Sequence, residues 1–280
     1  MSLLDRKTFL LITGASRGLG RAIALRLAKL VATDSTIVLV SRDEEKLSQL
    51  KSCLPSTLKA HIWKMDLATP AKPQQLKEAL IEYRNNEEFE VAMIIHNAGT
   101  VGTIDKPLAE ILERQQFLSY WELNLTSCFI LNNVFLQTFP PSKSSASKCR
   151  TVVIGISSGC AFRGYPGLGL YCAGKAAREL FFQTLAEEDP LLRVMTYSPG
   201  PIPTDMMREI NEHTFSQDKW QWSKDVLDSG RFPSAEDSIE PLIKALRDNS
   251  FVSGSFVSYN KGIRLPSREK QQIKVANKAD

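Results

Sequence analysis

At 280 residues, with 43% hydrophobic and 24% charged side chains, the chain has ordinary globular composition and enough length to bury one large core. The formal charge of +4 resides in residues 261–280, which hold six basic and two acidic side chains, so the first 260 residues carry 29 of each sign. A neutral body offers nothing to nucleic acid, no apolar stretch reaches the ~18 residues of a membrane span, and five cysteines without a C-x-x-C pair encode neither a disulfide framework nor a metal site. That cysteine usage fits a reduced, cytoplasmic compartment, and the first apolar run leads into a glycine turn rather than a signal-peptide cleavage site.

In chain order, a strand over 9–13 runs into Thr13-Gly14-Ala15-Ser16-Arg17-Gly18-Leu19-Gly20. Strand, glycine-rich turn and helix start together hold a dinucleotide pyrophosphate on backbone N–H groups at a helix N-terminus. Gly14, Ala15, Ser16, Arg17, Gly18, Leu19 and Gly20 are therefore candidate cofactor contacts, although the spacing Gly-x3-Gly-x-Gly is not the better-known G-x-G-x-x-G. Further strands are predicted over 36–40, 60–65, 91–96, 151–156 and 194–198, and helices over 21–30, 44–50, 74–83, 120–138 and 171–188. Such alternation implies an α/β fold, a single-domain, Rossmann-like doubly wound parallel sheet flanked by helices, over residues 1–260. Its ligands belong beyond the carboxyl ends of the strands, where the glycine turn, Asp66, Asn97, Ser158 and Pro199-Gly200-Pro201 fall. The Ser-rich stretch 140–149 reads as a surface loop, residues 201–232 as a lid, and 261–280 as a basic, disordered tail.

Three side chains carry the chemistry. Tyr171 and Lys175 lie four apart in a helical segment and project from one face. A tyrosine titrates near ~10 when unperturbed, and an ammonium one turn away favours its anion. Ser158, at the end of the fifth strand, is placed to hydrogen-bond a substrate carbonyl beside the tyrosine. Gly155-Ile156-Ser157-Ser158-Gly159 also spells G-x-S-x-G, which would make Ser157 a hydrolase nucleophile. That motif needs a helix directly after the serine and a downstream histidine, whereas 163–167 is loop chemistry and the only later histidine is His213. At the end of the second strand, an acid would accept from the ribose of NAD and an arginine would accommodate the phosphate of NADP. Arg42, with Arg17, favours NADP; Asp43, one residue on, is the acid that would favour NAD.

Taken together, T-G-A-S-R-G-L-G, Asp66-Leu67, His96-Asn97-Ala98-Gly99, Asn124, Ser158, Tyr171-x3-Lys175 and Pro199-Gly200 resemble the short-chain dehydrogenase/reductase family over about residues 7–260. The resemblance implies that Tyr171 protonates the substrate oxygen, Lys175 holds the nicotinamide ribose and lowers the tyrosine pKa, Ser158 orients the carbonyl, and Asn124 supports a proton relay. It further implies that Asp66 and Leu67 meet the adenine, that Asn97 borders the cofactor, and that Ile202, Thr204, Asp205 and Met206 close on it. Gly169–Arg178, Tyr197–Pro201 and Phe251–Gly254 are most similar to the family's reductases of pterin side-chain ketones. Those enzymes use NADPH on the way to tetrahydrobiopterin, as cytosolic homodimers without a metal. The dimer would pack the helices near 120–138 and 171–188, and the pterin would meet Ser158, Gly159, Tyr165, Tyr171, Gly200 and Ser258. Ser258 stands where those reductases grip the pterin with an aspartate, a loss of roughly 1–3 kcal/mol of charge-assisted bonding. Leu168 replaces an expected tryptophan, so the grip passes to Tyr165, Trp220 or Trp222, or the substrate is another small dicarbonyl or quinone. An idle NADP-binding regulator is the non-enzymatic alternative.

Overall fold

Every strand of the central sheet up to Ser198 begins or ends within one residue of its predicted limits, because all but the half-exposed edge strand over Lys59–Lys64 are apolar runs flanked by polar or glycine-rich turns. The computed structural model describes residues 1–70, 72–141, 149–260 and 262–264. β1 (Thr8–Thr13) leads through the glycine turn to α1 (Gly18–Ala28), β2 (Thr36–Ser41), α2 (Glu44–Ser52), β3 (Lys59–Lys64), α3 (Pro73–Arg84) and β4 (Val91–His96). Next come α4 (Arg114–Trp121), a π-helical turn over Glu122–Thr126, α5 (Ser127–Thr138), β5 (Arg150–Ile156), α6 (Gly169–Glu188) and β6 (Arg193–Ser198). The last part comprises α7 (Asp205–His213), α8 (Gln217–Asp228), α9 (Ala235–Ser238), α10 (Glu240–Asp248), β7 (Ser255–Ser258) and β8 (Gly262–Arg264).

The sheet order is β3-β2-β1-β4-β5-β6-β7-β8, with β1 through β7 parallel and β8 antiparallel to β7. Both faces are covered. On β1, Leu10 and Ile12 join α1, α2 and α10 in one core, while Phe9 and Leu11 join α3, α5 and α6 in the other. The period of two along a strand sorts the side chains between these layers. Strand order reverses between β1 and β4, which opens a crevice beyond their carboxyl ends.

Several expectations are corrected. The first helix starts at Gly18, three residues early, because the glycine turn itself forms its first turn. The poorly patterned stretch 201–232 contains two helices, α7 and α8, and the unpredicted α9, α10 and β7 complete the sheet's far side. β8 falls within the expected tail; the rest of 261–280 and most of the Ser-rich loop 140–149 lie outside the described residues.

α6 is pinned to the sheet by buried charge. Glu179 accepts from the Ser157 hydroxyl at the end of β5 at 2.7 Å, from Thr196 of β6 at 2.7 Å and from Gln183 at 3.1 Å. Arg178, its neighbour, donates to the carbonyls of His96 at 2.6 Å and Ala98 at 3.0 Å, past the end of β4. Removing the carboxylate strands two buried hydroxyls. Glu179→Ala is expected to lower the unfolding free energy by about 1–3 kcal/mol, read from denaturant midpoints at constant slope.

Candidate active site

A cavity of about 890 Å³ lies across the carboxyl ends of the strands, running from the glycine turn to the end of β7. At its β1 end, Gly14 and Gly18 adopt φ of +65° and +52°, and α1 begins with no side-chain cap and no acidic residue in its first turn. The first N–H groups of a helix lack intrahelical partners, and its dipole favours an anion there. The donor chemistry of this end thus fits a diphosphate. Gly20 serves packing rather than ligand approach: a Cβ there would stand 2.2 Å from the Gly14 carbonyl and 2.5 Å from Asn97 Nδ2. Asn97 donates to the carbonyls of Thr13 at 3.0 Å and Gly14 at 3.1 Å, so the turn is braced on the loop after β4. Ser16 and Ser41 join the turn to β2 through a 2.8 Å hydroxyl pair.

Arg17, Arg42, Asp66, Leu67 and Asn97 line this end, and Ile202, Thr204, Asp205 and Met206 line the opposite wall. Arg17 reaches across to Asp205 at 2.7 Å, and Asp205 also holds Arg208 at 2.6 Å. The bonds from Arg17 hold the Asp205 carboxyl below its usual range. Arg42 lies 4.0 Å from Asp66. Both guanidinium groups are solvent-exposed, and exposed ion pairs of this kind contribute about 0–1 kcal/mol, so neither arginine is tied down. Asp43 stands outside the lining. It caps α2 by accepting from Lys46 N at 3.0 Å, and that backbone bond lowers its carboxyl pKa. Ala15 and Gly20 also lie behind the lining, in the turn itself.

At the other end Ser158, Gly159, Tyr165, Tyr171, Lys175, Gly200 and Ser258 face the same cavity, Ser258 nearly buried on β7. Ser158 and Tyr171 stand together in the cavity wall. Lys175 Nζ donates to the Ile156 carbonyl at 2.7 Å and lies 5.4 Å from the Tyr171 ring centre. The small residues before Lys175 have a packing cause, since a Cβ on Gly174 would lie 2.4 Å from the Tyr120 hydroxyl. Asn124 sits in the π-helical turn behind the lining, with its amide donating to Tyr120 O and accepting from Thr100 N, both at 3.0 Å. Trp222 lines the cavity; Trp220 does not.

Charge at this end departs from expectation. Burial pushes the Tyr171 hydroxyl above its usual range, with the nearby Cys160 adding and the Ser158 hydroxyl opposing. The buried phenol is therefore protonated at neutral pH, and the Lys175 amine is directed at the Ile156 carbonyl. Lys175 is itself pushed down to about 7 by burial, with Arg178 adding repulsion. The G-x-S-x-G reading fails on geometry: Ser157 donates to Glu179, a short 3-10 turn over Gly159–Ala161 follows it, and His213 is exposed on α7. His96, buried at the end of β4, is held neutral by burial and bonds Asn132 at 3.3 Å.

Sequence reasoning missed Thr13, Arg178, Glu179 and Lys219. Thr13 Oγ1 accepts from Asn97 N at 3.0 Å and Ala98 N at 3.1 Å, which locks the crevice between β1 and β4. The signal for Arg178 and Glu179 was present: three and four residues beyond Lys175, they continue its buried helical stripe.

A family model described as short chain dehydrogenase matches residues 8–214. The chain is 37% identical over 256 residues to a sepiapterin reductase of Bos taurus, covering 90% of this chain and 94% of that one. It is 28% identical to a benzil reductase ((S)-benzoin forming) of Bacillus cereus, with 89% and 98% covered. Among solved structures, a short chain dehydrogenase of Escherichia coli CFT073 complexed with NADPH superposes with a TM-score of 0.72 at 25% identity, covering 92% of this chain and 98% of that one.

Two measurements test the site. Gly20→Ala is expected to cost about 1–3 kcal/mol of stability through overpacking and to weaken nucleotide binding, followed by thermal unfolding and by nucleotide titration. The depressed Lys175 means that the unfolded chain binds more protons between about pH 7 and pH 10, so stability rises with pH through that window. Lys175→Met removes this dependence. Its stability relative to the parent should be greatest at about pH 6 and fall toward about pH 10 in urea titrations; a difference that stays flat contradicts the burial of the amine.

Proposed function

The chain belongs to the short-chain dehydrogenase family, and on that premise we propose that it is an NADPH-dependent carbonyl reductase acting on side-chain ketones of pterins, in tetrahydrobiopterin synthesis. The observation that carries the reading is the convergence of Ser158, Tyr171 and Lys175 with the uncapped N-terminus of α1 in one cavity. Similarity to a sepiapterin reductase over nine-tenths of the chain supports the pterin class.

In this reading the first N–H groups of α1, with Ser16, hold the diphosphate, and the exposed Arg17 and Arg42 take the ribose phosphate that marks NADPH. Asp66 and Leu67 border the adenine. Asn97 keeps the glycine turn in shape, and Lys175 hydrogen-bonds the nicotinamide ribose. When bound, the nicotinamide supplies a hydride to the ketone carbon. Ser158 donates a hydrogen bond to the ketone oxygen, which fixes the carbonyl and spreads the charge developing on it. Tyr171, kept protonated by burial, gives its proton to that oxygen. Asn124 acts from behind, as the residue that holds Thr100 and the loop after β4. Helices α7 and α8 form the lid, since Met206, Met207 and Ile210 from one and Lys219 and Trp222 from the other line the cavity.

Ser258 supports a second reading, reduction of other small dicarbonyls. A neutral hydroxyl at that position grips a guanidine-like edge less strongly than a carboxylate, and the similarity to a benzil reductase points the same way. A homodimer through α4, α5 and α6 is supported by the exposed Leu118 and Leu180 on those helices, and a reducing, cytoplasmic compartment by five unpaired cysteines.

The deciding experiment follows nicotinamide absorbance with sepiapterin and NADPH, then with NADH. Turnover is expected with NADPH and is expected to fall roughly tenfold to a hundredfold with NADH, the worth of one charge-assisted contact. Pterin turnover that appears only in Ser258→Asp would transfer the assignment to other dicarbonyls. Tyr171→Phe is expected to lower kcat by about 10²–10⁴-fold while NADPH binding stays near that of the parent, and a fully active variant would overturn the proton-donor role.

A further inference from the structure

The reacting end of the cavity carries positive charge that the reduction described above leaves without a role. Lys219, in the first turn of α8, lines the cavity together with Tyr165 and Trp222. Its Nζ stands over the Tyr165 ring at 3.9 Å and over the Trp222 ring at 4.6 Å from the ring centres. Both rings belong to the apolar cluster that holds Tyr171 and Leu168. Arg163, also in the lining, lies 5.3 Å from the centre of the same Tyr165 ring. The acids of the lining, Asp66 and Asp205, are at the nucleotide end, where Arg42 and Arg17 meet them.

The lysine is held in place by its own loop and helix. Ser216 caps α8 by accepting from Lys219 N at 3.4 Å. Gly167, at a φ of +76°, lets the Tyr165 loop close on that cap, since a Cβ there would stand 2.8 Å from Thr214 Oγ1. Two ring faces then fix the ammonium. They attract it through their quadrupoles but offer no oxygen to its three N–H donors. Among the described residues no carboxylate or carbonyl bonds that ammonium, and Asp218 beside it is exposed and outside the lining. Partial burial lowers the pKa of the amine, because charge short of water is disfavoured until an acceptor takes the water's place.

We propose that Lys219 determines substrate specificity by donating a charge-assisted hydrogen bond to a second oxygen of the ketone substrate, so that the enzyme selects compounds with an acceptor oxygen besides the carbonyl that is reduced. The inference rests on the carbonyl-reductase reading of this cavity. In a dicarbonyl the acceptor is the neighbouring carbonyl, and in a pterin it is the ring oxygen. Ser258, a neutral hydroxyl in the same lining, places no negative charge at this end. A carboxylate there would favour the donor edge of a substrate, whereas a lysine favours an acceptor edge, so charge complementarity sets which way round the substrate lies. Tyr165 and Trp222 also keep water from one side of the ammonium, and a hydrogen bond is stronger where the dielectric is low.

The test compares two ligands with one carbon skeleton: benzil, which has two adjacent carbonyls, and deoxybenzoin, which has one. Each is titrated into the full-length protein saturated with NADP⁺, so that neither is reduced, and binding is read by calorimetry. The parent is expected to bind benzil more tightly. Lys219→Met should cut that preference by roughly tenfold to a hundredfold, the worth of one hydrogen bond from a charged donor. In the parent complex, benzil should also slow the acetylation of Lys219 by acetic anhydride, read by peptide mass spectrometry, a measurement that needs no variant. Failure of the parent to prefer benzil, an undiminished preference in Lys219→Met, or acetylation indifferent to benzil overturns the proposal. No turnover is involved, so a protein that shows these effects but reduces no ketone refutes the reductase reading and leaves the role of Lys219 standing. Sepiapterin turnover with an indifferent Lys219 does the reverse.

Discussion

The site depends on how α6 is seated. Glu179 and Arg178 bind this helix to β5, β6 and the segment after β4, and Lys175 adds a third tie to the Ile156 carbonyl. All three side chains are buried, so each bond acts in low dielectric and each would be costly to leave unmade. Tyr171 has no comparable anchor of its own. Its place is inherited from the residues one and two turns further along the same stripe.

The same seating decides the charge of the site. Burial beside Arg178 brings Lys175 down to about 7, and burial of the phenol keeps Tyr171 protonated. In the proposed reduction, a protonated phenol of this kind serves as the proton donor. At the other end of the cavity charge is handled differently. Arg17, Arg42, Asp66 and Asp205 are exposed, their pairings are weak, and the guanidinium groups are available to an anion. A buried, fixed chemical end and an open, electrostatic binding end share one crevice because the strand order reverses between β1 and β4.

Much of the fold was readable because most of the parallel strands are buried on both faces and leave an unbroken apolar run, as Val91–His96 does, while the edge strand Lys59–Lys64 is only half-buried. Ser255–Ser258 did not, being four residues with two serines whose place is set by pairing with β6. Helices α7 and α8 escaped for a related reason: they are short and charge-rich, and their few apolar residues, Met207, Ile210 and Val226 among them, are buried in a small cluster of their own. Asp43 shows the limit of reading position from spacing. Its carboxylate is one residue past the strand end, and the start of α2 takes it as a cap.

From the sequence alone follow the parallel α/β architecture, the glycine turn and the placing of Tyr171 and Lys175 on one helix face, since period, turn chemistry and i to i+4 spacing are local properties of the chain. Tertiary structure alone decided which partners those groups meet. Lys175 turns to Ile156, Ser157 is held by Glu179, and Arg17 spans to Asp205. Each of those pairings joins residues that the chain separates and only packing brings together, and a proton's affinity for any of them is set by burial and neighbours that no local pattern records.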